Sequence, residues 1–259
     1  MDGEWLLRIE DVDRTREIPG AADEICRTLE SFGLTWDGPV IRQSERAALY
    51  EAALAQLNSQ GLSFPCSCSR RDAHGAESPR YPGTCRAGAR PGRPLAIRLK
   101  VEPGVIQVAD RRQEPLSQDV AAAVGDFVLK RRDGCYPYQL AVVVDDAEQQ
   151  ITDVVRGADL WDNTPRQVYL QQALKLPTPR YLHLPVLVEP NGAKLAKSRR
   201  SVPVDPARAP ALLASALAQL GLDLPSHLDG APVPEQLSWA LSAWPDARQN
   251  PAPMLRLAQ

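Results

Sequence analysis

Apolar residues along this chain fall into short continuous runs that alternate with stretches of helical spacing. Trp5-Leu6-Leu7-Arg8-Ile9-Glu10 reads as a buried strand, and Ile25, Leu29 and Phe32 then recur with a helical period over residues 21–32, where Gly33 is placed to end the helix. A second amphipathic helix is predicted over 45–57, and short strands over 95–101, 105–108 and 126–130. The run Gln139–Val144 is ambiguous. Its β-branched content suits a strand, while Leu140, Val143, Val144 and Ala147 also satisfy the i, i+3, i+4, i+7 template of a helix. A strand follows over 151–155. Thr164-Pro165 then opens a helix with an N-cap and a proline at the first helical position, and another strand spans 182–188 before the turn Pro190-Asn191-Gly192. Two more helices are predicted over 207–220 and 234–243. Strands alternating with helices predict an α/β fold with a mostly parallel sheet and ligands at its carboxyl edge.

Composition narrows the function classes. With a net charge of −2 over 259 residues, the chain is not coated with basic charge, so any contact with nucleic acid must come from local patches. No apolar run approaches the roughly 18–20 residues needed to span a bilayer, and no leader-like segment opens the sequence. Five unevenly spaced cysteines do not make a disulfide framework in a chain of this length. The expectation is a cytoplasmic protein with no membrane partner.

Three groups of residues carry candidate chemistry. The first is the charged loop Glu10-Asp11-Val12-Asp13-Arg14-Thr15-Arg16 at the end of the opening strand, together with Arg156-Gly157 at the end of a later one. The second is the cluster Cys66, Cys68 and Cys85, which suits a tetrahedral zinc site better than a disulfide. Its fourth donor is open among His74, Tyr81 and Cys26, of which His74 is the best by generic ligand chemistry. The third is a local basic excess, Arg70, Arg71, Arg80, Arg86, Arg90, Arg93, Arg98 and Lys100, of the sort a phosphate backbone requires.

Taken in order, several motifs resemble those of the class I glutamyl-tRNA synthetases over residues 4–201. They are Arg8-Ile9-Glu10-Asp11-Val12-Asp13, Trp36-Asp37-Gly38 with Arg42-Gln43-Ser44-Glu45-Arg46, the cysteine cluster with Tyr81, Tyr138-Gln139-Leu140-Ala141-Val142-Val143-Val144-Asp145-Asp146, Val155-Arg156-Gly157-Ala158-Asp159, and Lys194-Leu195-Ala196-Lys197-Ser198 as a variant of the KMSKS signature. The resemblance implies a Rossmann-like catalytic domain with a small zinc-containing insertion and a short helical C-terminal region, divided at 1–63, 64–135, 136–201 and 202–259. It places the 140–147 run in a helix. Zinc would be held by Cys66, Cys68, Tyr81 and Cys85, which moves the preference for the fourth donor to Tyr81. Glu10 would bind the ammonium of a glutamate substrate, Tyr138 and Arg156 its carboxylates, and Lys194 and Lys197 the phosphates of ATP, with magnesium accompanying the nucleotide. Because the substrate carboxylate itself attacks the α-phosphate, catalysis would rest on positioning and electrostatics.

The 202–259 tail is too short for the family's anticodon-binding region. It suits the short paralogues described as attaching glutamate to queuosine at the wobble position of tRNA(Asp), and a monomer is expected. The family's first strand and its HIGH-like loop have no counterpart before Trp5; His183 lies in a strand and His227 in the tail, so neither replaces it. The chain as written is therefore expected to show little or no ATP–pyrophosphate exchange, while the leading expectation for the gene product is the queuosine-directed glutamyl transferase, with that segment encoded upstream of Met1. The competing expectations are an inactive zinc- or RNA-binding remnant and a fragment of a full-length glutamyl-tRNA synthetase.

Overall fold

Residues 3–13, 17–69, 72, 80–186 and 204–244 are described by the computed structural model. In chain order the elements are β1 (Arg8–Ile9), α1 (Ala21–Ser31), β2 (Ile41–Arg42), α2 (Ala47–Ser59), β3 (Ser63–Cys66), β4 (Ala96–Leu99), β5 (Val105–Val108), β6 (Leu116–Asp119), α3 (Val120–Ala123), β7 (Val128–Lys130), α4 (Tyr138–Glu148), β8 (Asp153–Gly157), α5 (Thr164–Leu174), β9 (Arg180–Leu184), α6 (Ala209–Gln219) and α7 (Val233–Ala243). They divide between two units. One lies within Met1–Leu7, Glu17–Val40 and Pro185–Gln259, and the other within Arg8–Arg16 and Ile41–Leu184.

The larger unit holds the parallel strands. β8 runs parallel to β9 over five residue pairs, and β1 runs parallel to β2 over two. These two pairs are not hydrogen-bonded to each other among the described residues, so the parallel sheet expected from the alternating pattern is divided. The opening strand is also shorter than its apolar run. Trp5 donates its N–H to the Asp37 carboxylate at 2.9 Å and accepts the Asp37 N–H at 2.7 Å, so its backbone groups are used in a turn contact rather than in a ladder. Residues 63–130 form the antiparallel sheet β3-β4-β7 and the hairpin-like pair β5-β6. The β6 strand carries only one apolar residue, Leu116, which is why periodicity does not reveal it.

The 140–147 ambiguity resolves as helix α4. Every residue from Leu140 to Asp145 is buried, because α2 and α5 both pack on it, and a helix buried all round loses the polar face that would mark its period. Asp145 is the polar centre of this packing. Wholly buried, it accepts from Gln43 Nε2 at 2.7 Å, Arg46 Nε at 2.6 Å and the Tyr50 hydroxyl at 2.7 Å. A buried carboxylate is tolerated only with such a full set of donors.

In the smaller unit α1 is terminated as expected, with Gly33 at φ +65°, and α6 and α7 bury Leu213, Leu217 and Val233 together with Phe32. Trp239 packs against this cluster, in keeping with a structural role.

Candidate functional site

The β1–loop junction and α4 bring the candidate amino-acid residues together. Arg8, on β1, donates to Asp146 at 2.7 Å and to Gln149 at 2.6 Å, and lies 3.6 Å from Glu10. Surrounding protein raises the Glu10 carboxyl above its usual range, with Asp146 and Asp145 adding to this against the pull of Arg8. Burial likewise raises Asp146 against Arg8. Two carboxylates sharing one arginine leave a net negative charge, suited to an ammonium group.

Arg156 sits in β8, and its donors all meet neutral acceptors. Nε reaches His183 Nε2 at 2.9 Å, Nη1 reaches Gln167 Oε1 at 2.7 Å and the Tyr138 hydroxyl at 3.4 Å, and Nη2 reaches Thr164 Oγ1 at 2.8 Å. No carboxylate forms an ion pair with it among the described residues. Its charge thus remains available to a ligand. Tyr138 opens α4 beside it, and burial raises the phenol while Arg156 lowers it and Glu10 raises it. Glu10, Tyr138 and Arg156 therefore share one electrostatic environment. Lys194 and Lys197 lie outside the described residues.

The cysteine cluster is assembled by β3 and the loop that returns to Gly125. The Sγ atoms of Cys66, Cys68 and Cys85 lie within 4.8 Å of one another, with Cys68 and Cys85 3.5 Å apart. The Tyr81 hydroxyl is 3.4 Å from Cys66 Sγ and 3.7 Å from Cys68 Sγ, and accepts the Cys85 N–H at 2.9 Å. Zinc–sulfur bonds of about 2.3 Å in a tetrahedron set neighbouring sulfurs about 3.8 Å apart, so the spacing fits that ion. His74 lies outside the described residues. Arg98 stacks on Tyr81, 3.9 Å from the ring centroid, and donates to Cys66 Sγ at 3.2 Å, an arrangement that favours anionic sulfur. Burial raises the Cys85 thiol, yet hydrogen bonds from Tyr81 and the Ser67 backbone outweigh it and bring the thiol down to about 6.

Gly125 holds this loop at close range. It pairs with Tyr81 as a β-bridge at φ +72°, and an added Cβ would stand 2.7 Å from the Tyr81 carbonyl oxygen. Gly125→Ala is expected to lower stability by about 2 kcal/mol, since the left-handed backbone alone costs ~1–2 kcal/mol and the clash adds to it. Denaturant unfolding of the variant measures this directly.

The basic excess around the cysteines is partly spent inside the chain. Arg86 pairs with Asp126 at 2.6 Å, Arg98 is buried as described, and Arg93 and Lys100 lie 3.4 Å from Asp72 and Glu102. Next to the cluster a cavity of about 620 Å³ is lined by Arg98, Arg131, Arg132 and Arg166 among others. Arg166 is pulled below its ordinary value by burial, and no acid pairs with it among the described residues.

A family model described as the catalytic domain of class I tRNA synthetases (E and Q) matches residues 1–210. The chain belongs to this family. Among curated relatives, the Glutamyl-Q tRNA(Asp) synthetase of Ectopseudomonas mendocina is 53% identical over 249 residues, covering 96% of this chain and 84% of the relative. The protein of the same name from Pseudomonas aeruginosa PAO1 is 49% identical with the same coverage. Among solved structures, the glutamate-tRNA synthetase of Elizabethkingia anophelis superposes with a TM-score of 0.78 at 23% identity, over 99% of this chain and 61% of that one, a likeness of fold. A glutamate tRNA ligase from Elizabethkingia meningosepticum, in complex with its amino acid, gives a TM-score of 0.67 at 26% identity, over 78% of this chain and 47% of that one. The chain thus spans about half to three-fifths of these longer synthetases. It is a class I aminoacyl-tRNA synthetase by family, with an α/β catalytic fold containing parallel strands. No described helix is long and apolar enough to cross a membrane.

Sequence reasoning passed over Asp110, Gln167 and His183, which the structure gathers around Arg156. A lone histidine in an apolar strand reads as a satisfied core residue, and its Asp110 partner lies 73 residues upstream.

Proposed function

We propose that this chain provides the amino-acid site of an enzyme that binds glutamate, activates it with ATP, and transfers it to queuosine at the wobble position of tRNA(Asp). The observation that carries the amino-acid assignment is Arg156: a guanidinium held by four neutral acceptors, with no carboxylate paired to it among the described residues, shares an environment with Tyr138 and Glu10. A substrate carboxylate would supply the missing countercharge in a charge-assisted contact. The ammonium would meet Glu10, and its positive charge would lower the raised carboxyls of Glu10 and Asp146 again. Lys194 and Lys197 would meet the ATP phosphates, with magnesium as the nucleotide's companion. The named relatives support the nucleic-acid half of the proposal.

Cys66, Cys68, Cys85 and Tyr81 would hold a zinc ion, which when bound would cross-link β3 to the loop returning at Gly125. In the domain reading this 64–135 segment is an insertion between the two parts of the catalytic domain.

The test is calorimetry of the full chain with glutamate, with aspartate and glutamine as controls, followed by glutamylation of tRNA(Asp) with and without queuosine. Glutamate is expected to bind at least tenfold better than either control, and whatever labelling of tRNA occurs to be confined to the queuosine-containing form. Equal binding of the three amino acids would refute the substrate, and labelling of both tRNAs at the 3′ end would refute the acceptor.

A further inference from the structure

One buried pair in the amino-acid site has no role in the function proposed above. His183 is wholly buried on β9, and its Nδ1 lies 2.7 Å from Asp110 Oδ2. Asp110 also accepts the backbone N–H groups of Arg112 and Gln113, each at 2.8 Å, and that of His183 at 3.1 Å. Burial raises the Asp110 carboxyl, but these donors outweigh it and hold it below its ordinary value. An ionised carboxylate can only accept, so Nδ1 carries the proton. The lone pair is then on Nε2, 2.9 Å from the Nε of Arg156, which can only donate. The donors thus run one way, from Arg156 through His183 to Asp110. Trp161 and Tyr181 pack on the imidazole, with ring centroids 4.8 Å and 6.0 Å away, and fix its plane.

We propose that Asp110 and His183 are positioning residues for the amino-acid site: the neutral imidazole anchors Arg156 by its Nε and so presents the terminal nitrogens of the guanidinium to the substrate carboxylate. The consequence for binding rests on the glutamate reading; the anchoring itself does not. Of the five N–H groups of Arg156, one is held by His183, one by Gln167 and one by Thr164 at 2.9 Å or less. What remains is one N–H on Nη2 and the weak 3.4 Å contact from Nη1 to Tyr138. These two are the donors left for a substrate carboxylate.

The anchor is acid-sensitive. Protonation of Nε2 would set N–H against N–H and release Arg156. The charged and titratable groups facing His183 are Asp110, Arg156 and Asp159, with the Tyr181 phenol packed on its ring. Burial and the charge of Arg156 lower the imidazole from its ordinary 6.5, against the pull of Asp110 and Asp159. A lowered histidine stays neutral at pH 7, so the anchor is complete there. It is lost only as pH falls through a value below 6.5.

The experiment is ¹⁵N NMR of the full chain labelled at histidine, with His183→Gln identifying the His183 signals among the chain's three histidines. A protonated Nδ1 with an unprotonated Nε2 at neutral pH is expected. The opposite tautomer, or an imidazolium, would overturn the proposal whether or not glutamate binds. In calorimetry, His183→Phe is expected to weaken glutamate binding about 30-fold and leave ATP binding unchanged. His183→Gln restores an acceptor, and is expected to recover most of that loss and to remove the histidine's share of the acid limb, leaving that of the raised Glu10 carboxyl. Equal losses in the two variants, or an acid limb in His183→Gln identical to that of wild type, would overturn the assignment. A wild-type chain that has the expected tautomer but does not bind glutamate would refute the substrate while supporting the anchor.

Discussion

Arg156→Ala is expected to weaken glutamate binding by about 4 kcal/mol, close to a thousandfold, with the affinity for ATP unchanged. The magnitude follows from the environment. A cation whose partners are all neutral contributes its full charge to an incoming carboxylate, in a partly buried site where water competes poorly. Arg156→Lys should recover only part of the loss. The ammonium keeps the charge, but it cannot donate to His183, Gln167 and Thr164 at once while offering a planar edge. Calorimetry of the two variants beside wild type measures both effects. A loss below tenfold for the alanine variant would mean that the carboxylate is held elsewhere.

Zinc removal is the second large effect. Wild type is expected to carry one zinc per chain, and Cys66→Ala or Cys85→Ala to lose it. Binding in a closed zinc site is worth on the order of 10 kcal/mol. Loss of even a third of that lowers the Tm of a chain of this size by about 10 °C. Metal analysis and melting curves of the variants, and of wild type after chelation, provide the check. Tyr81→Phe separates the two candidate fourth donors. If the tyrosine is a ligand, its zinc content or affinity falls while His74→Ala leaves both unchanged; the reverse result would assign the histidine.

Legibility in the sequence followed the range of the interaction. α1, α6 and α7 were readable from apolar stripes within their own residues, and α5 from the proline in its first turn, although Asn163 rather than Thr164 stands at its N-cap, without a side-chain hydrogen bond, and the Thr164 hydroxyl accepts from Arg156 instead. The α4 helix was not, since its burial on several sides erased the contrast that periodicity needs; the family resemblance supplied that element instead. Cysteine spacing announced the metal cluster, yet nothing local announces that Gly125 must lie against Tyr81. The parallel strands were legible from the alternation of strands and helices, but apolar content at Trp5–Leu7 cannot show that Asp37 takes up the Trp5 backbone groups and so shortens β1. Glu10, Tyr138 and Arg156 were identified as candidates through their motifs. What orients Arg156 was invisible, because Asp110 and His183 meet only in three dimensions.

Asp145 and Asp146 are neighbours on α4, one turned into the core onto Gln43, Arg46 and Tyr50, the other toward Arg8. Tyr138 lies two turns earlier on the same helix. A rotation of α4 that shifted Tyr138 and Asp146 around a ligand would have to tear three donors from a carboxylate with no water to replace them. The helix that carries Tyr138 and Asp146 is thereby pinned through Asp145, so a ligand held by these two side chains would meet them in the positions they already occupy.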